Sequence, residues 1–381
     1  MNIENEKISG RQLGRMVFYD FFGLTTLVLP GYLAKGAGMD GFFCLVIGFG
    51  AGYLFLLFVL SQMRRMEQGY QVYLAKRFGN ILTGFLLFCY LLTALFGAAY
   101  GLRMLGNVIC KYLIRDTSMW LILGVLTILA VYGLSAGLEC RGRLYEVVFW
   151  FLALPLIILF FLSMFSVEPA GWLPVFRTGG GQLAEGSYVV FAFLMSTAFL
   201  PMLVGDIAEG ADRTRVLKQS FALGMCLNLA LFLLLAGIFR VPVMAVIEEP
   251  ALTLTAMVKM PGGFFERQDA LLCGIWFVSI FAFVENALYY SVYCARKICR
   301  KREQGWFLFG AGLLVYVLSL AMHYSRALLD TLVRCYLLTA VPLLVIVALL
   351  AGILPAHASG AWWRGEEKSI AGTAKREEGT V

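Results

Sequence analysis

Thr25-Thr26-Leu27-Val28-Leu29-Pro30 sits inside an apolar run over residues 16–34, and Ser196-Thr197-Ala198-Phe199-Leu200-Pro201 sits inside another over residues 184–204. Both read Ser/Thr-Thr-x-x-Leu-Pro. Proline has no N–H, and its ring clashes with the carbonyl four residues earlier, so each motif predicts an interrupted helix. In lipid, the freed backbone groups must be met by neighbouring helices, hydroxyls, water or a ligand. Thr25, Thr26, Ser196 and Thr197 supply hydroxyls at those places; Gly23 and Gly31 bracket the first break, and Gly205 follows the second. Paired Gly/Pro-interrupted spans in corresponding positions point to a midplane binding site. A half-helix N-terminus offers N–H groups and positive dipole to a carboxylate, which suits an amino acid. Gly23, Thr25, Thr26, Ser196 and Thr197 are therefore the candidate substrate-binding residues. Two ordinary proline kinks would give the same pattern, and Pro155 and Pro342 lie in apolar runs without a matching motif.

The chain around these motifs demands lipid as its solvent. Of 381 residues, 60% are hydrophobic and 14% charged, and the mean hydropathy is +0.81. Soluble domains are about 45–50% apolar and ~25% charged. An ordinary cytosolic enzyme, a secreted disulfide scaffold and a disordered regulator are excluded. A bilayer core needs ~20 apolar residues per helix. Ten spans are expected, at 16–34, 41–60, 81–102, 117–138, 147–166, 184–204, 217–239, 269–293, 306–323 and 334–354. The first reads as a span and not as a removable signal peptide, because Met1–Arg15 is mixed in charge and no A-x-A-like site follows the run.

Ten spans put both termini on one side, and the basic residues choose it. The N-terminal segment, the loops after spans 2, 4, 6 and 8, and the tail outweigh the opposite loops in Lys and Arg by about two to one, which makes both termini cytoplasmic. Arg64, Arg65, Lys76 and Arg77 follow span 2, and Arg296, Lys297, Arg300, Lys301 and Arg302 follow span 8. The net charge of +7 thus reflects topology, and no nucleic-acid partner is expected. The two motifs open inverted halves, about 8–170 and 183–355, of one membrane domain over 1–355. A polar tail, 356–381, reads as disordered. Ser61–Asn80 is amphipathic and suited to a membrane face. The loop from Arg240 to Gln268 is long, with a short helix expected at Ala251–Lys259. Gly48/Gly52 and Gly97/Gly101 read as helix-packing notches.

Ionisable residues inside spans are costly and point to function. Asp20 lies in span 1, and Glu285, followed by Asn286, lies in span 8. If the two helices are neighbours, these carboxylates form a cation or proton site, with Glu285 the sharper candidate. Interfacial carboxylates paired with basic loops are the plainer alternative. Nine Cys and two His include no C-x-x-C and no zinc spacing, and neither metal nor cofactor is expected. The match Gly133-Leu134-Ser135-Ala136-Gly137 falls at the end of span 4, away from the strand-to-helix turn that a nucleophile elbow needs. No P-loop or H-E-x-x-H occurs.

The order of several further elements carries a resemblance. Ile8-Ser9-x-x-Gln12 precedes the glycine-to-Leu29-Pro30 segment of span 1, and Lys76-Arg77-Phe78-Gly79-Asn80 precedes span 3. Tyr132-Gly133-x-x-x-Gly137-x-Glu139-x-Arg141-x-Arg143-x-x-Glu146 follows span 4, and Leu173-Pro174-Val175 follows span 5. Phe265-Glu266-Arg267-Gln268-Asp269 precedes Trp276 of span 8. Over about residues 8–355 the chain resembles the spore-germination permeases, the B subunits of nutrient germinant receptors, within the amino acid–polyamine–organocation superfamily. The resemblance implies an all-α, LeuT-like 5+5 inverted repeat with broken helices 1 and 6. It implies a pocket for a small nutrient, typically an amino acid, between helices 1, 3, 6 and 8. It also implies A-type and C-type partner subunits in the inner membrane of a dormant spore. Three readings stand at this point: a germinant receptor subunit, an H+- or Na+-coupled amino acid transporter, and a membrane-embedded enzyme or structural subunit, the last without a catalytic motif in a suitable place.

Overall fold

The first helix starts where the sequence supplies its own cap. Ser9 Oγ accepts the backbone N–H of Gln12 at 3.3 Å, and the Gln12 side chain accepts the Ser9 N–H at 2.9 Å. This reciprocal capping box satisfies two N–H groups that a helix start leaves open, and helix α1 follows over Gly10–Ala37. The computed structural model describes residues 7–66, 69–114, 117–207, 212–257, 268–300 and 305–355. The tail expected over 356–381 lies outside the described residues, as do Glu266 and Arg267.

Eight helical stretches among the described residues are long and apolar enough to cross a membrane. The first, Gly10–Met63, has 54 residues, about 80 Å of helix against a ~30 Å hydrocarbon core. It divides at Gly38, whose φ of +61° favours glycine, into α1 and α2 (Gly41–Met63). The amphipathic segment after α2 forms α3 (Tyr70–Phe78). Gly79, at φ +76°, turns the chain into α4 (Asn80–Val108), which ends in a π-turn at Ile109–Leu113. α5 (Met119–Ser135) is shorter, at 17 residues, and α6 covers Leu138–Met164. Then come α7 (Gly180–Phe193), continued by a 3-10 segment over Met195–Asp206, and α8 (Arg213–Phe239). The long loop after α8 holds α9 (Val241–Met244) and α10 (Pro250–Met257), the latter overlapping the short helix expected at Ala251–Lys259. α11 (Gln268–Cys299), α12 (Gly305–Tyr324), α13 (Arg326–Cys335), a π-turn at Tyr336–Ala340 and α14 (Val341–Ile353) complete the order. Among the described residues the one β pairing is an isolated parallel bridge between Ile8 and Ile207.

Contacts sort the helix ends onto two faces. On the face of the N-terminus, the Ile8 N–H donates to Asp206 O at 2.9 Å, Arg15 pairs with Glu146 at 2.9 Å, and Tyr73 OH donates to Ala351 O at 3.1 Å. On the opposite face, Asp40 accepts the backbone N–H groups of Phe176, Arg177 and Thr178 at 2.6, 2.8 and 2.8 Å. Lys111 there bonds Glu248 and Glu249. The hydrogen bond from Lys111 holds the Glu248 carboxyl below its ordinary value.

The glycine notches work as packing sites. A Cβ on Gly48 would lie 2.5 Å from Val190 Cβ and 2.7 Å from the Ser187 carbonyl, and one on Gly52 would lie 2.4 Å from Leu194. These glycines let α2 approach α7 closely. Gly101 does the same for α4 against Phe283 and Val284 of α11.

One expectation is corrected. Helix 1 is not broken: α1 runs unbroken through Pro30. Proline removes a single N–H, and the hydroxyls ahead of it serve the helix itself. Thr25 donates to Phe21 O at 2.6 Å and Thr26 to Phe22 O at 2.5 Å, the back-bonding open to Ser and Thr inside helices. Asn228 of α8 adds a 3.1 Å bond to Phe21 O. Helix 6, by contrast, does change: α7 gives way after Phe193 to 12 residues of 3-10 helix containing Pro201, far beyond the usual 3–4 residues.

Candidate binding cavity

Four residues spaced by four, Asp20, Leu24, Val28 and Tyr32, form one stripe of α1 about 18 Å long. They line one wall of a cavity of about 190 Å3, more than ten times the ~15 Å3 that one water needs. α4 adds Thr93, Gly97 and Tyr100; α7 and its 3-10 extension add Val189, Ser196 and Phe199. α11 contributes Phe283, Asn286, Ala287 and Tyr290, and the α13 region contributes Val333 and Tyr336. The wall is mostly apolar with a few polar groups, the usual make-up of a small-molecule site.

Two of those polar groups are incompletely satisfied. Asp20 is 2% exposed; its Oδ1 accepts the Asn286 Nδ2–H at 3.0 Å, and its Oδ2 has no partner among the described residues. Ser196 Oγ is likewise buried without a partner, as is Thr197 Oγ1 nearby. Buried polar atoms are rarely left so. The 3-10 segment thus presents an open hydroxyl at the place where helix 6 departs from α geometry.

Beneath Asp20 lies a buried ionic network. Arg141 donates to Glu285 Oε2 at 3.3 Å through Nε and to Asn286 Oδ1 at 2.6 Å through Nη2. Tyr145 OH donates to the same Glu285 oxygen. The side chains of Arg141 and Glu285 are each 3% exposed. Asn286 also donates to Met16 O at 3.3 Å. Because its oxygen takes the Arg141 N–H, its amide nitrogen must face Asp20 and Met16. A tight turn at Gly137, φ +95°, delivers Arg141 to this place.

Of the residues expected at the site, the structure brings Asp20 and Ser196 to the cavity wall. Gly23, Thr25, Thr26, Thr197 and Glu285 are not among the lining residues. Gly23 faces α11, where a Cβ would lie 2.9 Å from the Ser279 backbone. Thr26 Oγ1 accepts the Trp276 indole N–H at 3.1 Å. Thr26→Val is therefore expected to leave a buried donor unpaired and to cost about 1–3 kcal/mol. The thermal unfolding midpoint of the purified protein is expected to drop, with Thr26→Ser retaining it; an unchanged midpoint in the valine variant would refute the assignment.

Sequence reasoning passed over Arg141, which looks like one more basic loop residue. The glycine turn ahead of it was the available signal. Asn286 also gained no role from sequence, although a polar neighbour of an intramembrane carboxylate is itself unusual.

The architecture is that of the LeuT-fold transporters. A Na+-coupled sialic acid symporter, in a substrate-bound outward-open state, superposes with a TM-score of 0.66 at 13% identity, covering 92% of this chain and 80% of that one. Mhp1, a nucleobase-cation-symport-1 family transporter in a closed conformation with bromovinylhydantoin bound, gives 0.66 at 15% identity over 91% and 80%. A family model described as "Spore germination protein" matches residues 7–327, and the chain belongs to that family. Spore germination protein KB of Bacillus subtilis (strain 168) is 23% identical over 337 residues, 86% of this chain and 88% of that protein. The family and fold are those of receptors or transporters, not enzymes, and the protein is a multi-pass membrane protein.

Proposed function

We propose that this chain is the B-type subunit of a nutrient germinant receptor, binding a small nutrient such as an amino acid in the cavity lined by Asp20, Ser196 and Asn286. The cavity between α1, α4, α7 and α11 is the observation that carries this. Counting the Gly10–Met63 stretch as two crossings and Met119–Ser135 as one brings the eight stretches to ten, in two inverted halves over about 8–170 and 183–355. The basic loops favour cytoplasmic termini, and the family favours the spore inner membrane with A-type and C-type partner subunits. Nutrient binding signals by favouring one of two conformations, which requires different affinities for the two. Ser196 on the 3-10 segment supplies a hydroxyl for the ligand, and Thr197 lies behind it. Gly23, Thr25 and Thr26 set the wall's position through α1 and its contacts with α11.

The test is deletion in the native spore former, followed by germination with separate amino acids. Loss of the response to at least one nutrient is expected. Normal germination with every nutrient, in a strain without redundant receptors, would contradict the proposal.

One observation favours a second reading, H+- or Na+-coupled transport: Asp20 faces the cavity with a free oxygen. It suits ion coupling better than Glu285, which is already paired with Arg141. Uphill uptake into reconstituted vesicles under a pH or Na+ gradient would favour the transporter; nutrient binding without flux would favour the receptor.

A further inference from the structure

We infer that a second cleft, between α1, α6 and α8, is a phospholipid site: it takes one acyl chain, and the arginines at its end hold an anionic headgroup.

The first ground is the cleft itself. It has a volume of about 190 Å3, and its walls include Phe18 and Phe22 of α1, Phe149 and Ile157 of α6, and Leu223 and Leu227 of α8. No charged residue lines it, and its two hydroxyls belong to Tyr19 and Ser279. The Ser279 hydroxyl donates to Ile275 O at 2.7 Å. Apolar cavities of ~150 Å3 stay dry and take hydrocarbon guests. Ile157 is 65% exposed and Leu223 42%, so the cleft opens on the lipid-facing surface and a chain enters it from the bilayer. It shares no lining residue with the cavity beside Asp20. Asp20 and Phe22 point to opposite sides of α1, about 200° apart.

The second ground is charge. One turn before Tyr19, Arg15 pairs with Glu146 at 2.9 Å, and its guanidinium lies 5.3 Å from the ring centroid of Phe149, part of the cleft wall. Arg11 lies 3.8 Å from the same carboxylate oxygen, with its side chain 81% exposed. Two guanidiniums thus share one carboxylate, which leaves net positive charge on the first turns of α1, at the end of the cleft facing the N-terminal side of the membrane. Basic pockets between membrane helices suit anionic lipid headgroups, and guanidinium groups bond phosphate in bidentate fashion.

The third ground is the order of groups with depth. Arg11, Arg15, Tyr19 and Phe22 follow one another along one face of α1, about 16 Å from first to last. Tyr19 is 1% exposed, and its hydroxyl has no partner among the described residues. Buried polar atoms are rarely left so. Cation, buried hydroxyl and apolar ring succeed one another as phosphate, ester carbonyl and acyl chain do in a phospholipid. The Tyr19 hydroxyl is a donor for the ester carbonyl.

The experiment uses the purified full-length protein in a neutral detergent and reads its thermal unfolding midpoint. The probes are phosphatidylglycerol, phosphatidylcholine with the same chains, and glycerol 3-phosphate. Phosphatidylglycerol is expected to raise the midpoint at a concentration at least threefold below that of phosphatidylcholine, and glycerol 3-phosphate is expected to leave it unmoved. Arg11→Gln, a change to an exposed side chain, is expected to remove the preference between the lipids. Ala153→Trp, which fills the cleft, is expected to remove the phosphatidylglycerol response, and Ile157→Trp at the exposed rim tests the same point should Ala153→Trp fold poorly. Equal response to the two lipids in the parent protein would overturn the inference, as would a response to glycerol 3-phosphate equal to that of phosphatidylglycerol. A phosphatidylglycerol response that survives both cleft variants, or that Gly97→Trp removes by filling the cavity beside Asp20, would place the lipid elsewhere and also overturn it. So would a midpoint that no lipid moves.

Discussion

Replacing Arg141 with methionine is expected to destabilise the protein by about 3–5 kcal/mol, the usual result of removing one partner of a buried ion pair. Arg141 and Glu285 are 3.3 Å apart, with both side chains 3% exposed. Without the guanidinium, Glu285 keeps only the Tyr145 hydroxyl, and Asn286 loses the donor that fixes its amide. The loss originates in packing and electrostatics but reaches the cavity, because Asn286 is what holds Asp20. The thermal unfolding midpoint is expected to fall sharply, and the double variant Arg141→Met/Glu285→Met to recover much of the loss, since two matched apolar side chains leave no buried charge. Single and double variants with the same midpoint as the parent would show that the pair does not hold α6 to α11.

Much of the architecture was legible in the sequence, for identifiable reasons. Apolar runs near the length of a bilayer crossing have few alternatives to helices, so each expected span overlaps an observed helix, while eight stretches among the described residues are long and apolar enough to cross. Gly48, Gly52 and Gly101 could be read as packing notches because close helix approach needs a missing side chain. The Ser-Thr-x-x-Leu-Pro motif located the departure from α geometry at Met195 correctly. Its counterpart at Thr25 misled, because a proline reveals which carbonyl it frees but not whether the local hydroxyls turn back onto the helix. Thr25 and Thr26 do so.

The cavity was less legible. A membrane helix is apolar all round, so periodicity does not show which stripe faces inward. Asp20 stood out by its charge, whereas Leu24, Val28 and Tyr32 share its face without any compositional mark. Glu285 was visible for the same reason as Asp20, yet its role depends on a partner 144 residues away in sequence. A basic loop residue predicts topology equally well whether it ends in solvent or, like Arg141, beneath the cavity.

The second large effect is expected from Gly97→Trp. Gly97 lines the cavity on α4, and the nearest atom to an added Cβ is Phe283 Cζ at 3.7 Å, an ordinary contact. The backbone therefore has room for a side chain, and an indole fills space that a ligand would need. Gly84→Trp serves as the comparison: it lies on the same helix, with nothing within 4 Å of an added Cβ, and it is absent from the cavity wall. The decisive measurement is the nutrient dose-response of germination in spores carrying each variant, at matched membrane levels of the protein. The cavity account predicts that Gly97→Trp abolishes the response while Gly84→Trp keeps it. An unshifted dose-response in Gly97→Trp spores would contradict it.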